Sequence, residues 1–294
     1  MALSHVFLAL LVSLLWGLNF VVTKAGLSEL PPVYLAMLRF ALVAILLAPW
    51  LKPMKGQMVR LVWIGLTAGA LHFGLIFLGF SMTEHVGPVA VAVQINIPFM
   101  VLLAVVFLGE RIGVYRIGGM VVAFSGVMLV GFDPDAFSDP WAFVMVCAGA
   151  CFFAVSVVLM RRFDGGHPLQ VQAWIALFSF PVLLFGTMVL ETGQIESTMN
   201  ATWVGWSAVI YIALGSTVIG HGSMFFLLQR YPVTYLVPFM IAPPVLGVLF
   251  GIWLYGDPIT WEIVAGGLMT VAGVAVIQIR EALATRRAKM VEAV

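Results

Sequence analysis

Charge is what this chain has least of. Lys, Arg, Asp and Glu make up 9% of its 294 residues, where a soluble domain carries about 25%. Hydrophobic residues account for 63%, and mean hydropathy is +1.11. So few polar groups cannot cover a water-facing surface, so the solvent of this fold is lipid. Net charge is only +1, with neither basic runs interleaved with aromatics nor a phosphate-cradling glycine loop, which argues against nucleic acid as a partner. Cysteine is scarce as well: Cys147 and Cys151 are the two. At i, i+4 they share a helix face, but no further ligands flank them. They read as packing residues with free thiols, not a metal site. Carboxylates are missing from the centre of every apolar run. That excludes paired acids or a His/Glu metal motif at membrane depth, and with them an intramembrane enzyme; no catalytic residue is assigned. The first run lacks a cationic lead-in and a small-residue cleavage site, so it reads as a retained helix.

What is present is a series of apolar runs of about 20 residues, the length that crosses a bilayer core as a helix. Ten are found, at 5–23, 33–51, 61–82, 86–108, 114–132, 140–160, 168–190, 203–227, 233–255 and 259–279. The connections are mostly short, "TEH" and "GERIG" among them, which forces antiparallel neighbours. The expected fold is an all-α membrane protein of ten transmembrane helices. Basic residues are nearly absent from alternate loops. One side carries Lys52, Lys55, Arg60, Arg111, Arg116, Arg161, Arg162, Arg230, Arg280, Arg286, Arg287 and Lys289; the other carries Lys24 alone. Cytoplasmic loops are the basic ones, which puts both termini in the cytoplasm.

The chain also repeats itself. At an offset of 147 residues Gly109 meets Gly256, Glu110 meets Asp257, Gly119 meets Gly266 and Gly126 meets Gly273. At 137, Trp16 meets Phe153, Asn19 meets Ser156 and Lys24 meets Arg161. At 149, "LHFGLIFLGF" (71–80) falls on "GHGSMFFLLQ" (220–229), pairing His72 with His221. The expected organisation is a first five-helix repeat over 1–132, an external linker at 133–139, a second repeat over 140–279 and a cytoplasmic tail at 280–294. Five helices is an odd number, so the halves are inverted. Inverted repeats typify secondary transporters, with the cargo site near the midplane at the repeat interface.

Several polar residues lie at that depth. His72 and His221 are expected to face one central space; the bland alternative is a neutral ring bonded to a neighbouring helix. Arg39 sits within the second span. It either snorkels to the interface or receives a carboxylate in bidentate geometry. "VQINIPFM" (93–100) and "IAPPV" (241–245) place prolines in corresponding spans. Proline frees a backbone carbonyl, and paired broken segments point to a binding site. Gln94, Asn96, Phe99 and Pro243 follow as candidates, and Trp174 and Phe225 as cavity walls. Glu110 and Asp257 sit at span ends, either solvated or capping the helix that follows. Any proton coupling falls to the histidines.

"LLWGLNFVVTKAGL" (14–27) and "FLGER" (107–111) resemble motifs of the EamA-type drug/metabolite transporters, and the resemblance runs over nearly the whole chain. It is similar in particular to bacterial aromatic and neutral amino-acid exporters. It departs at Asp257, where Glu is frequent, and at Phe153, where tryptophan is. The resemblance implies a ten-helix inner-membrane permease exporting amino acids or similar small metabolites, without cofactor. In it, Trp16 packs a cargo side chain and Asn19 bonds a polar head, with Lys24 structural or gating. A channel would favour rings from identical subunits; cationic drugs are another cargo to weigh. Sequence sets neither the cargo nor the oligomeric state.

A cavity lined by both histidines makes a simple forecast. Cysteine placed at position 72 or 221 should react with a water-soluble thiol reagent, and protection of both overturns the expectation.

Overall fold

The computed structural model describes the chain except residues 110–112, 134–135, 138, 162, 164–166, 232 and 293–294. Within helices, the side chains of 161, 225, 228–229, 233–235, 237–238, 281–282 and 284–292 also lie outside the described part. Every regular element among the described residues is helical. They are α1 (Leu3–Leu27), α2 (Pro32–Leu46), α3 (Met58–Ser81), α4 (Val86–Leu108), α5 (Val114–Gly131) and α6 (Pro140–Arg161). Then come α7 (Pro168–Leu190), the short α8 (Gln194–Asn200), α9 (203–230), α10 (233–255) and α11 (Trp261–Glu292). Eight helices are long and apolar enough to cross a membrane; α2 and Phe239–Tyr255 of α10 are two shorter apolar ones.

Proline sets several boundaries. Pro32, Pro140 and Pro168 open α2, α6 and α7, where a missing N–H costs nothing. The second run, expected over 33–51, ends early: α2 stops at Leu46 and a 3-10 turn, Ala48–Trp50, follows around Pro49. Pro49 cannot continue the backbone bonding and disfavours helix in the residue before it. The basic tail continues α11 as helix to Glu292. The polar α8 has no apolar run and escaped the sequence reading.

The outward surface is apolar: Phe7, Trp63, Phe107, Phe185 and Trp253 are all exposed, as a lipid-facing shell requires. Inside, α5 packs on α11, α2 on α7, α3 on α6, α1 on α9 and α10, and α4 on α6 and α10. The α5–α11 crossing is the tightest. A Cβ on Gly126 would meet the Gly266 carbonyl, and one on Gly119 would meet that of Gly273. Small residues let the two backbones touch, and the pairing of 119 with 273 and 126 with 266 shows that the helices run antiparallel.

One end of the bundle is tied by hydrogen bonds between loops. Lys24 donates to the Thr83 carbonyl and Thr83 Oγ1 to the Ala136 carbonyl at 3.2 Å. Thr260 Oγ1 donates to Asp133 at 2.6 Å. Three carboxylates at this end cap helix N-termini from elsewhere in the chain. Glu191 accepts from the N–H groups of Val33 and Tyr34 at 2.7 and 2.9 Å. Glu29 accepts from Thr202 and Gly205 N–H at 2.8 and 3.1 Å, and from the Thr202 hydroxyl at 2.6 Å. That hydroxyl, first among the causes, holds the Glu29 carboxyl below its ordinary value. The tie is therefore complete above the unfolded carboxylate pKa and is lost as pH falls through the lowered one. Asp257 Oδ2 accepts from Val86 and Gly87 N–H at 2.8 and 2.6 Å, with His85 Nδ1 3.4 Å from Oδ1.

Asp257 corrects two expectations. It is 4% exposed, so it is not a solvated end charge. It caps α4, packed beside it, and not α11, which follows it. Glu110, its repeat mate, lies outside the described residues. Replacing Asp257 by Ala leaves two buried N–H groups unpaired, a loss of about 1–3 kcal/mol. Thermal unfolding of the detergent-purified protein should show a lowered Tm, with Asp257→Asn less affected because an acceptor oxygen remains.

Candidate functional site: a guanidinium and two imidazoles inside the bundle

Two helices change their winding just ahead of a histidine. Leu66–Leu71 of α3 and Tyr211–His221 of α9 are π-helical; they lead into His72 and end on His221. π-helical turns recur at functional sites because they open the backbone ladder. In α9 side chains take up carbonyls five residues back. Thr217 Oγ1 donates to the Ile212 carbonyl at 2.9 Å, and His221 Nδ1 to that of Ser216 at 3.0 Å. From α1, Trp16 Nε1 also donates to the Ser216 carbonyl, at 3.2 Å.

His72 is 7% exposed, and its Nδ1 donates to the Gly149 carbonyl of α6 at 2.9 Å. Gly149 permits this approach; a Cβ there would crowd the His72 backbone oxygen at 2.9 Å. A carbonyl only accepts, so both rings are assigned as Nδ1–H donors, and in the neutral tautomer each Nε2 is left an acceptor. The bland reading of His72 as a ring bonded to a neighbouring helix is thus realised at its Nδ1. The ring environments mirror each other: Trp16 lies 5.2 Å from His221 and Phe153 lies 4.8 Å from His72, between centroids.

Arg39 is the middle residue of α2 and 1% exposed, so it does not snorkel. Its Nε and Nη2 donate to Thr217 Oγ1 at 3.0 and 2.8 Å. Its guanidinium lies 3.8 Å from the centroid of Phe73. Nη1 is buried without a hydrogen-bond partner. Phe73, under the guanidinium, also meets the His72 ring at 4.4 Å between centroids, and Thr217, which Arg39 bonds, stands next to Ser216, whose carbonyl holds His221. On α1, Asn19 Oδ1 and, one turn on, Thr23 Oγ1 are also buried and unpartnered.

Other candidates lie apart from this cluster. Gln94 sits in a 3-10 turn, Val93–Ile95, one turn before Pro98. It lines an apolar crevice of about 330 Å³ with Val91, Pro244, Val248, Ile263 and Gly267. Phe99 lines a second crevice, of about 240 Å³, between α4 and α5. Asn96 is half-buried at the start of the α-helical part that follows the turn. Trp174 donates to the Lys52 carbonyl at 3.1 Å and stacks on Phe178, holding the α2–α3 connection. The side chain of Phe225 lies outside the described residues. Pro243 is buried, but α10 stays α-helical through it. The carbonyl it frees, four residues back at Phe239, accepts from Ser13 Oγ at 2.7 Å.

The structure therefore brings together Trp16, Arg39, His72 and His221. Sequence reasoning missed Thr217, Phe73, Gly149 and Ser13. A signal for Thr217 was available: Ser216 and Thr217 are adjacent hydroxyls in an apolar span, five and four residues before a histidine.

A bundle of long apolar helices with an apolar exterior and polar side chains turned inward defines a multi-pass membrane protein. The EamA-like transporter family matches this chain twice, over residues 3–132 and 140–279; the chain belongs to that family. A probable amino-acid metabolite efflux pump of Salmonella typhimurium is 28% identical over 91% of this chain and 92% of its own length. One of the same description from Escherichia coli is 26% identical over 90% and 92%. An uncharacterized transporter of Archaeoglobus fulgidus is 25% identical over 89% and 94%. A protein of known crystal structure, 18% identical, matches with a TM-score of 0.63 over 93% of this chain and 96% of that one; at that identity the likeness concerns the fold alone.

The His72 bond is open to test. His72→Phe removes the Nδ1 bond to the Gly149 carbonyl, which keeps its place in the α6 ladder, a net loss of about 0.5–1.5 kcal/mol, whereas His72→Asn keeps a donor. Thermal melts of the two variants should separate, with the Phe variant lower.

Proposed function

We propose that this protein exports amino acids or similar small metabolites across the bacterial inner membrane by alternating access. The observation that carries the reading is the central cluster, built from α2 and α3 of the first half and α9 of the second. Two pseudo-equivalent halves that share one polar site have near-equal inward-open and outward-open states, which alternating access requires.

Ten spans in two inverted five-helix halves, 1–132 and 140–279, fit the packing. Exchanging the halves turns the α3–α6 pair into α9–α1 and the α4–α6 pair into α10–α1, all of which occur. It also turns Trp16–His221 into Phe153–His72. The pairs α2–α7, α4–α10 and α5–α11 map onto themselves, and α5–α11 crosses antiparallel, as inversion demands. The connections at 28–31, 82–85, 132–139, 191–202 and 256–260 join at one end, as alternating passes predict. The basic residues belong to the other connections, which favours cytoplasmic termini.

Trp16, Asn19, Arg39, His72 and His221 are assigned to the cargo site. Gln94, Asn96, Phe99, Trp174, Phe225 and Pro243 serve the walls and hinges of the path. Proton coupling, where present, uses the histidines. Counterflow of radiolabelled amino acids in proteoliposomes tests the reading. Trans-stimulated exchange of one or more amino acids is expected; sustained passive ion flux identifies a pore, and no exchange for any of a full panel overturns amino-acid export.

A further inference from the structure

Arg39 is a cation buried in the bundle, without an acid paired to it among the described residues. No Asp or Glu occurs in α1–α7, α9 or α10, and α11 has its nearest one, Glu262, in the first turn. An ionised side chain at such depth is costly and is kept near the bundle interior for a use. Its hydrogen bonds leave one edge unpaired. A guanidinium has five N–H donors; Thr217 Oγ1 takes those of Nε and one of Nη2. The Phe73 ring covers a face at 3.8 Å. What remains is the outer edge, where the N–H groups of Nη1 and Nη2 run parallel, and Nη1 is buried without a partner. That edge matches the two oxygens of a carboxylate.

We infer that the site selects cargo by its carboxylate, taken bidentate on the Nη1–Nη2 edge of Arg39, and that Thr217 is the positioning residue that turns this edge toward the cargo. The inference rests on the export reading above. It deepens that reading by naming the chemical group selected and by excluding cationic drugs and simple amines as preferred cargo. The two imidazoles do not compete for the anion through Nδ1, since both Nδ1 donors are spent on backbone carbonyls. Thr217 is itself held by its bond to the Ile212 carbonyl in the π-helical turn. The winding of α9 is therefore transmitted to the direction of the guanidinium. Phe73, Trp16 and Phe153 supply an aromatic, sequence-tolerant lining for the rest of the molecule.

Matched sets test this in the full-length protein reconstituted in proteoliposomes: leucine, leucinamide and isopentylamine; phenylalanine, phenylalaninamide and phenethylamine. Competition against counterflow of the free acid is the readout. The acids should compete at least about tenfold better than the amide and the amine of their set, the factor expected for a lost hydrogen bond to a charged group. Thr217→Val should collapse that ratio toward one, while Thr217→Ser retains it. Arg39→Lys, which keeps charge but loses the paired edge, should lower the ratio in a protein that still elutes as a single species. A merely structural Thr217 would change total transport and leave the ratio alone. Amides or amines competing as well as acids, or an unchanged ratio in both Arg39→Lys and Thr217→Val, overturns carboxylate selection and leaves export standing. Exchange of ethidium in place of every acid also overturns it. Absence of exchange for all of these compounds overturns both readings. Should Thr217→Val fail to fold, the Arg39→Lys and Thr217→Ser ratios decide.

Discussion

The bond from Arg39 to Thr217 joins the first half of the chain to the second at the centre of a medium that offers no hydrogen bonds. Hydrocarbon cannot satisfy a stray donor, so a polar group there is paired within the chain or left for something that enters. Arg39 does both. Two of its nitrogens are spent on Thr217, its face is laid on Phe73, and Nη1 is left over. The same condition explains the neighbours. Ser13 reaches the carbonyl that Pro243 frees, His72 reaches across to Gly149, and Trp16 shares the Ser216 carbonyl with His221.

The π-helical stretch of α9 sets which carbonyls its side chains reach: Thr217 Oγ1 takes that of Ile212 and His221 Nδ1 that of Ser216, each five residues back, which fixes the direction of both side chains. Two of the π-helical stretches, Leu66–Leu71 and Tyr211–His221, lead into or end on a histidine of the polar centre. The two differ in detail: His72 reaches another helix, and His221 stays on its own.

At one end of the bundle, carboxylates close the structure in a complementary way. Asp257, Glu191 and Glu29 each cap a helix that does not directly follow them in the chain. A helix N-terminus holds unsatisfied N–H groups and partial positive charge, so a carboxylate both pairs the donors and neutralises the end. Glu191 and Asp257 come from the second half and cap α2 and α4 of the first; Glu29 returns the favour at α9. Separating these elements at that end would break several such bonds at once.

Much of this was legible as text, since the physics is local. Twenty apolar residues in a row are a helix in lipid whatever their neighbours, and glycine spacing marks close crossings. Membrane residence follows from hydropathy and period, and the transporter class from the motifs "LLWGLNFVVTKAGL" and "FLGER"; the contacts of Trp16 with His221 and of Phe153 with His72 do not. Only the tertiary structure decided which polar atoms pair. It set Gln94 and Phe99 at crevices away from Arg39, gave Trp174 to a loop carbonyl, turned Asp257 to α4, and recruited Thr217, Gly149 and Ser13. A hydrogen bond depends on the direction of one side chain against a backbone many residues away, and neither hydropathy nor spacing carries that direction.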